Sequence, residues 1–148
     1  MPTDTGLLKL AALENDDLAV ISAHLQDAVA CVNEMAYLPS ENRFAMVVNR
    51  FDWIVASEQA KSLRRRTGVR FERVTKARLR GLDPRGPKAM LNLLAIEFAE
   101  SEAPSGTITL YFSGDAAIQL DVECIEMAMS DLGPEWTTNA CPQHEAEG

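Results

Sequence analysis

The chain has 148 residues, 47% of them apolar and 24% charged, with a formal net charge of −8. This is ordinary globular composition for one domain, long enough to bury most of its unfolded surface without disulfide or metal staples. It excludes a transmembrane helix, because no segment approaches ~20 consecutive apolar residues, and the net acidity argues against a general nucleic-acid coat.

In chain order, residues 1–6 read as a disordered N-terminus, with no basic region before a short apolar run interrupted by Lys9, so no signal peptide is expected. Residues 7–13 read as a strand. Asn15, Asp16 and Asp17 supply helix-start chemistry, and Leu18, Ile21, Leu25 and Ala28 then share one helical face, predicting a helix over residues 17–28. The period next changes to two. Residues 30–38 and 43–53 form a predicted hairpin around Pro39-Ser40-Glu41-Asn42. Residues 54–67 lack a clean period and predict a loop.

Residues 69–82 read as one long strand, with Val69, Phe71, Ala77 and Leu79 on one face and Arg70, Lys76, Arg78 and Arg80 on the other. Asp83-Pro84-Arg85-Gly86-Pro87 is a turn or loop. Residues 90–100 form a strand apolar on both faces, which requires cover on both faces, from the helix or from a second subunit. Ala103-Pro104-Ser105-Gly106 is a turn. Strands over 107–113 and 118–124 follow, separated by Gly114-Asp115. The apolar phase shifts at Ile125, predicting a bulge or a short helix there. Residues 133–148 read as a flexible acidic tail.

One helix and about seven strands on short connections give an α+β fold over residues 7–132. It is a mainly antiparallel sheet, bent or barrel-like. A pleckstrin-homology-like or calycin-like barrel fits this count.

Charge is segregated. Residues 61–88 hold eleven of the fourteen basic side chains and only two of the 22 acidic ones, so this stretch carries +9 and the rest −17. Arg64, Arg65, Arg66, Arg70, Lys76, Arg78 and Arg80 are therefore candidates for an anion-binding face or an interface. A solvated face matched to the protein's own carboxylates is the alternative. Arg50, Asp52 and Trp53 form a second candidate, read as a surface ion pair above a core aromatic pair with Phe51. Asp121 and Glu123 share a strand face but have no third ligand in reach by spacing. His24 reads as a partly buried structural histidine, and Cys141 with His144 is half of a zinc knuckle without the other half. No catalytic or metal motif emerges, and no cofactor is implied. Three cysteines without CxxC spacing argue against a disulfide framework and for a reducing, cytoplasmic setting.

Four segments, LAVISAHLQDAV, AYLPSENRFAMVVNRFDW, VRFERVTKARLRGLD and IQLDVECIEMAMSDLG, resemble an uncharacterised bacterial family known only as a domain of unknown function (family 2948). The resemblance spans roughly residues 7–133. It implies a bacterial cytosolic protein and brings no substrate, cofactor or active-site residue.

Three functions follow as expectations. The leading one is a non-catalytic binding or assembly module with a basic face on residues 69–82, engaging a protein partner or a second copy, and no membrane. The second is nucleic-acid or polyanion binding through Arg64–Arg80. The third is a small-ligand or enzymatic barrel.

Overall fold

A computed structural model of the chain describes residues 8–51, 64–82 and 90–132. Its elements are β1 (Lys9–Ala12), α1 (Asn15–Leu25), β2 (Val29–Leu38), β3 (Arg43–Phe51), β4 (Arg64–Phe71), β5 (Val74–Arg80), β6 (Met90–Glu100), β7 (Gly106–Phe112), β8 (Ala117–Val122) and β9 (Met127–Asp131). The fold is α+β: one helix beside a nine-stranded antiparallel sheet, in the order β1-β9-β4-β3-β2-β6-β7-β8-β5. Among the described residues the sheet is bent but not closed, with β1 and β5 as its edges. Its bend brings β5 back to the β2–β3 turn, where Val74 N–H donates to the Asn42 carbonyl at 2.9 Å.

Nine strands replace the expected seven for two reasons. The expected strand over residues 69–82 is two strands. Arg73 sits in the left-handed region at φ 62°, which breaks the extended backbone at a corner. The corner is held by Glu72 N–H on the Glu126 carbonyl (2.8 Å) and Glu123 N–H on the Arg73 carbonyl (3.0 Å). The phase shift at Ile125 is likewise no bulge. After β8 the chain turns at the same corner, and β9 runs on between β4 and β1.

The helix is shifted toward the N-terminus of its predicted span. It ends at Leu25 because Asp27 adopts φ 67°. Leu18, Ile21 and Leu25 are buried, as the periodicity predicts, and pack toward β6 and β1. Strand β2 pairs with β6 only over Met90–Asn92. Beyond that point α1 takes its place, and Ser22 Oγ accepts a hydrogen bond from Ile96 N–H at 3.0 Å. A register break between Leu93 and Ala95 puts Leu93 and Ile96 inside and leaves Leu94 half exposed. The two-sided cover expected for this strand is therefore one-sided at Leu94.

The core is continuous. Phe44, Met46 and Val48 of β3 meet Val69 and Phe71 of β4, Ile108 and Leu110 of β7, Ile118 and Leu120 of β8, and Met127 and Met129 of β9. The Phe44 and Phe71 rings lie 6.3 Å apart in a tilted arrangement, a favourable aromatic geometry. No helix among the described residues is long and apolar enough to cross a membrane. Cys124 is free and Cys31 is disulfide-bonded, a bridge that the cysteine spacing gave no reason to expect. The expectations for residues 1–6 and 133–148, and for Asp52 and Trp53, lie outside the described residues.

Candidate functional site

The corner at Arg73 divides the basic stripe. Arg64, Arg65, Arg66 and Arg70 belong to β4, inside the sheet, whereas Lys76, Arg78 and Arg80 belong to β5 at its edge. The single basic strand face expected from alternation is therefore corrected to two separate groups.

On β4 the side chains alternate. Arg65, Thr67, Val69 and Phe71 are buried, and Arg64, Arg66 and Arg70 face outward. Arg65 is only 1% exposed, so it is not available to a ligand as an open surface cation. Arg64 donates to the Asp27 carbonyl at 3.1 Å and lies over the Phe51 ring, 5.4 Å from its centroid. Burial lowers the proton affinity of Arg64, and the charge of Asp27 opposes that effect. Arg66 pairs with Glu34 at 3.3 Å, and Arg70 pairs with Glu72 at 3.1 Å. Glu72 also holds Arg43 at 3.0 Å. The outer cations of β4 are thus engaged by the protein's own groups, and such half-exposed pairs contribute little stability.

Arg50 overturns its expected place most fully. It is 1% exposed and points into the core, on the face set by Phe44, Met46 and Val48. Its guanidinium grips Asp131 with two bonds, Nε to Oδ1 at 2.9 Å and Nη2 to Oδ2 at 2.7 Å. Thr67 Oγ1 donates to Oδ1 at 2.7 Å, and Leu8 N–H donates to Oδ2 at 2.8 Å. Burial alone would raise the Asp131 pKa. The bonds from Arg50, Leu8 and Thr67 outweigh it and hold the carboxyl below the usual range. This network ties β3, β4, β9 and the segment before β1 together, which gives Arg50 a structural task. Phe51, expected in the core, instead lies half buried on the outer face beneath Arg64.

The two carboxylates singled out on the eighth strand also serve the fold. Asp121 accepts both Nη groups of Arg78 at 2.8 Å, and Thr107 donates to it at 3.2 Å. The Arg78 bonds, against a burial effect of opposite sign, hold the Asp121 carboxyl below its usual range. Glu123 lies beyond the strand, 3.9 Å from Arg73. Among the described residues no three His, Cys, Asp or Glu side chains are placed together to hold a metal ion.

What remains is the outer part of β5. Lys76 and Arg80 are exposed, and neither has an ion-pair partner among the described residues. The inward face of the same strand carries Ala77 and Leu79. With Leu82 they form one wall of a cleft whose other wall is Val32, Met35, Ala36 and Tyr37 of β2 and Phe44 of β3, enclosing about 230 Å³. Leu79 is 44% exposed there. Among the described residues, a sheet edge with no further strand on it, an apolar cleft beneath it and two cations without an ion pair along it meet at one place. Sequence alternation identified these side chains. It could not show that β5 is an edge, because that follows from strand order.

A family model described as "Protein of unknown function (DUF2948)" matches residues 8–144. No curated protein and no solved structure matches the chain.

Proposed function

The chain belongs to this family of unknown function, so membership brings no activity with it, and we propose that the protein is a non-catalytic binding module that takes an extended segment of a partner at the β5 edge. The observation that carries the reading is the coincidence of the β5 edge, which pairs with no further strand among the described residues, with the cleft between Leu79 and Tyr37. Strand addition uses both features: main-chain bonds to the edge supply affinity, and a pocket for alternate side chains supplies selectivity. The chemistry-bearing side chains also support it, since Arg50, Asp131, Arg78 and Asp121 are committed to bonds within the fold.

Selection of short peptides from a displayed library, followed by amide shift mapping on the full chain, tests the reading. Selected peptides are expected to shift residues 77–82 together with Tyr37 and Phe44. Shifts confined to other surfaces would refute it.

The proposal includes a bacterial cytoplasmic setting. Alkylation in denaturant of protein captured from its native cells, followed by mass measurement, tests that placement. Because Cys31 is bridged in the structure, this placement requires that bridge to be reduced in the cell: three labelled cysteines are then expected, and a persistent bridge at Cys31 would place the protein elsewhere.

A further inference from the structure

Resting on the binding-module reading, we infer that the occupant of the β5 edge is an acidic extended segment whose alternate side chains are apolar. Any strand added to β5 sends successive side chains to opposite faces of the sheet. On the inner face they meet the cleft formed by Ala77, Leu79, Leu82, Tyr37 and Phe44, which is apolar throughout apart from the tyrosine hydroxyl. On the outer face they run beside Lys76, Arg78 and Arg80.

The outer face is not uniformly available to a carboxylate. Arg78 is already held by Asp121 through two bonds of 2.8 Å. Lys76 and Arg80 flank it, four residues apart and therefore on the same face, and neither has an ion-pair partner among the described residues. At ~3.3 Å per residue they stand about 13 Å apart. The complementary segment then carries its two carboxylates four residues apart, with apolar side chains at the intervening odd positions.

The same cations decide against a second copy of this chain at the edge. Two β5 strands paired antiparallel about Arg78 would set Lys76 opposite Arg80 and Arg78 opposite Arg78. Like charges directly opposite destabilise a strand pair, and edge cations are a common barrier to self-association. The edge excludes its own kind and stays open to a strand of opposite charge.

The test measures binding of synthetic eight-residue peptides to the full chain by amide shift perturbation. One peptide alternates Val with Asp and one alternates Val with Lys. One carries the same Asp positions with Ser in place of Val, and a single-stranded RNA oligomer is included. The Val/Asp peptide is expected to bind, shifting residues 76–80 and Tyr37, with affinity that falls as salt rises. Reversing both cations, Lys76→Glu with Arg80→Glu, is expected to weaken Val/Asp binding about tenfold and to create binding of the Val/Lys peptide. Both side chains are exposed, so the fold should persist, and thermal melting checks this. Leu79→Ser is expected to weaken the Val/Asp peptide with the cations intact.

Three outcomes overturn the inference. If the Val/Lys peptide binds the wild-type cleft best, the acidic chemistry is wrong while the binding module stands. If the Ser/Asp peptide or the RNA binds this face as well as the Val/Asp peptide, the face is a plain polyanion site. If no peptide shifts β5 or the cleft, the inference and the module reading both fall.

Discussion

Replacing Asp131 with Ala is expected to remove about 3–5 kcal/mol of folding stability at neutral pH, the usual cost of stripping one partner from a buried ion pair. Asp131 and Arg50 are both essentially inaccessible, and the carboxylate accepts four hydrogen bonds, two of them from Arg50. Without it, the Arg50 guanidinium stays buried and loses its charge partner. Arg50 also lies directly opposite Arg65, a second buried cation on the neighbouring strand. Thr67 and the Leu8 N–H lose their acceptor as well. A chain of this size has ~5–15 kcal/mol in total, so the loss is a large fraction of it and corresponds to a melting temperature lower by about 10 °C. Urea unfolding of the variant at pH 7 checks this, and a loss below ~1 kcal/mol would remove the network from the account of stability. The double variant Arg50→Met with Asp131→Leu should cost less than Asp131→Ala alone, because no unmatched charge is left behind.

The sign of the pH dependence follows from the lowered Asp131 pKa. A carboxyl whose folded pKa lies below its unfolded value contributes stability that is fully present above the unfolded value, near ~4. That contribution is lost as pH falls through the folded pKa. The stability gap between wild type and Asp131→Asn is therefore expected to be constant from pH 7 to about 5 and to narrow below ~4. A gap independent of pH down to full protonation would contradict the assignment.

Gly106→Ala is expected to cost about 3 kcal/mol, at the upper end for inserting one carbon into a packed core. A Cβ at this position would collide with the Ala99 carbonyl oxygen and would stand 2.6 Å from two ring carbons of Phe98. The backbone cannot step aside, because Gly106 is paired on both sides, with Glu100 of β6 and Val122 of β8. The aromatic ring lies over the glycine as cover, an arrangement that protects a bare strand position. Gly68→Ala is the control. Its Cβ would meet only the Leu132 side chain, at 3.5 Å, an ordinary contact. That variant is expected to be neutral or to gain up to ~0.5 kcal/mol. Thermal melts of the two variants separate close packing from the general cost of replacing a strand glycine; equal melting temperatures would show that the Phe98 contact is soft.

Much of the fold is legible in particular residues. Leu18, Ile21 and Leu25 mark the buried helix face, and Ile108, Leu110 and Phe112 mark the inner face of β7, both as read from periodicity. The inward direction of Arg50 was also written in the chain, since Phe44, Met46 and Val48 precede it at two-residue spacing. Its charge argued for the surface, and the spacing prevailed because a partner carboxylate arrives from β9. The same holds for Arg65, which follows the phase of Thr67, Val69 and Phe71. Val74 carried the signal of the corner, being buried out of phase with Ala77 and Leu79. The candidate site was half visible: Lys76 and Arg80 were named from the sequence, and the cleft beneath them was not.

The amino-acid order by itself determined the α+β class, the alternation of most strands and the concentration of positive charge near residues 64–80. These are local properties, set by side-chain spacing along one backbone. The tertiary structure alone decided which cations form ion pairs among the described residues and which do not. Glu34, Asp121 and Asp131 reach their arginines, and Glu72 reaches Arg43, only after distant strands have paired, and partners in space are separated in sequence by up to 123 residues at Leu8 and Asp131. Strand order likewise made β5 an edge. Both outcomes depend on long-range pairing, which no local pattern encodes.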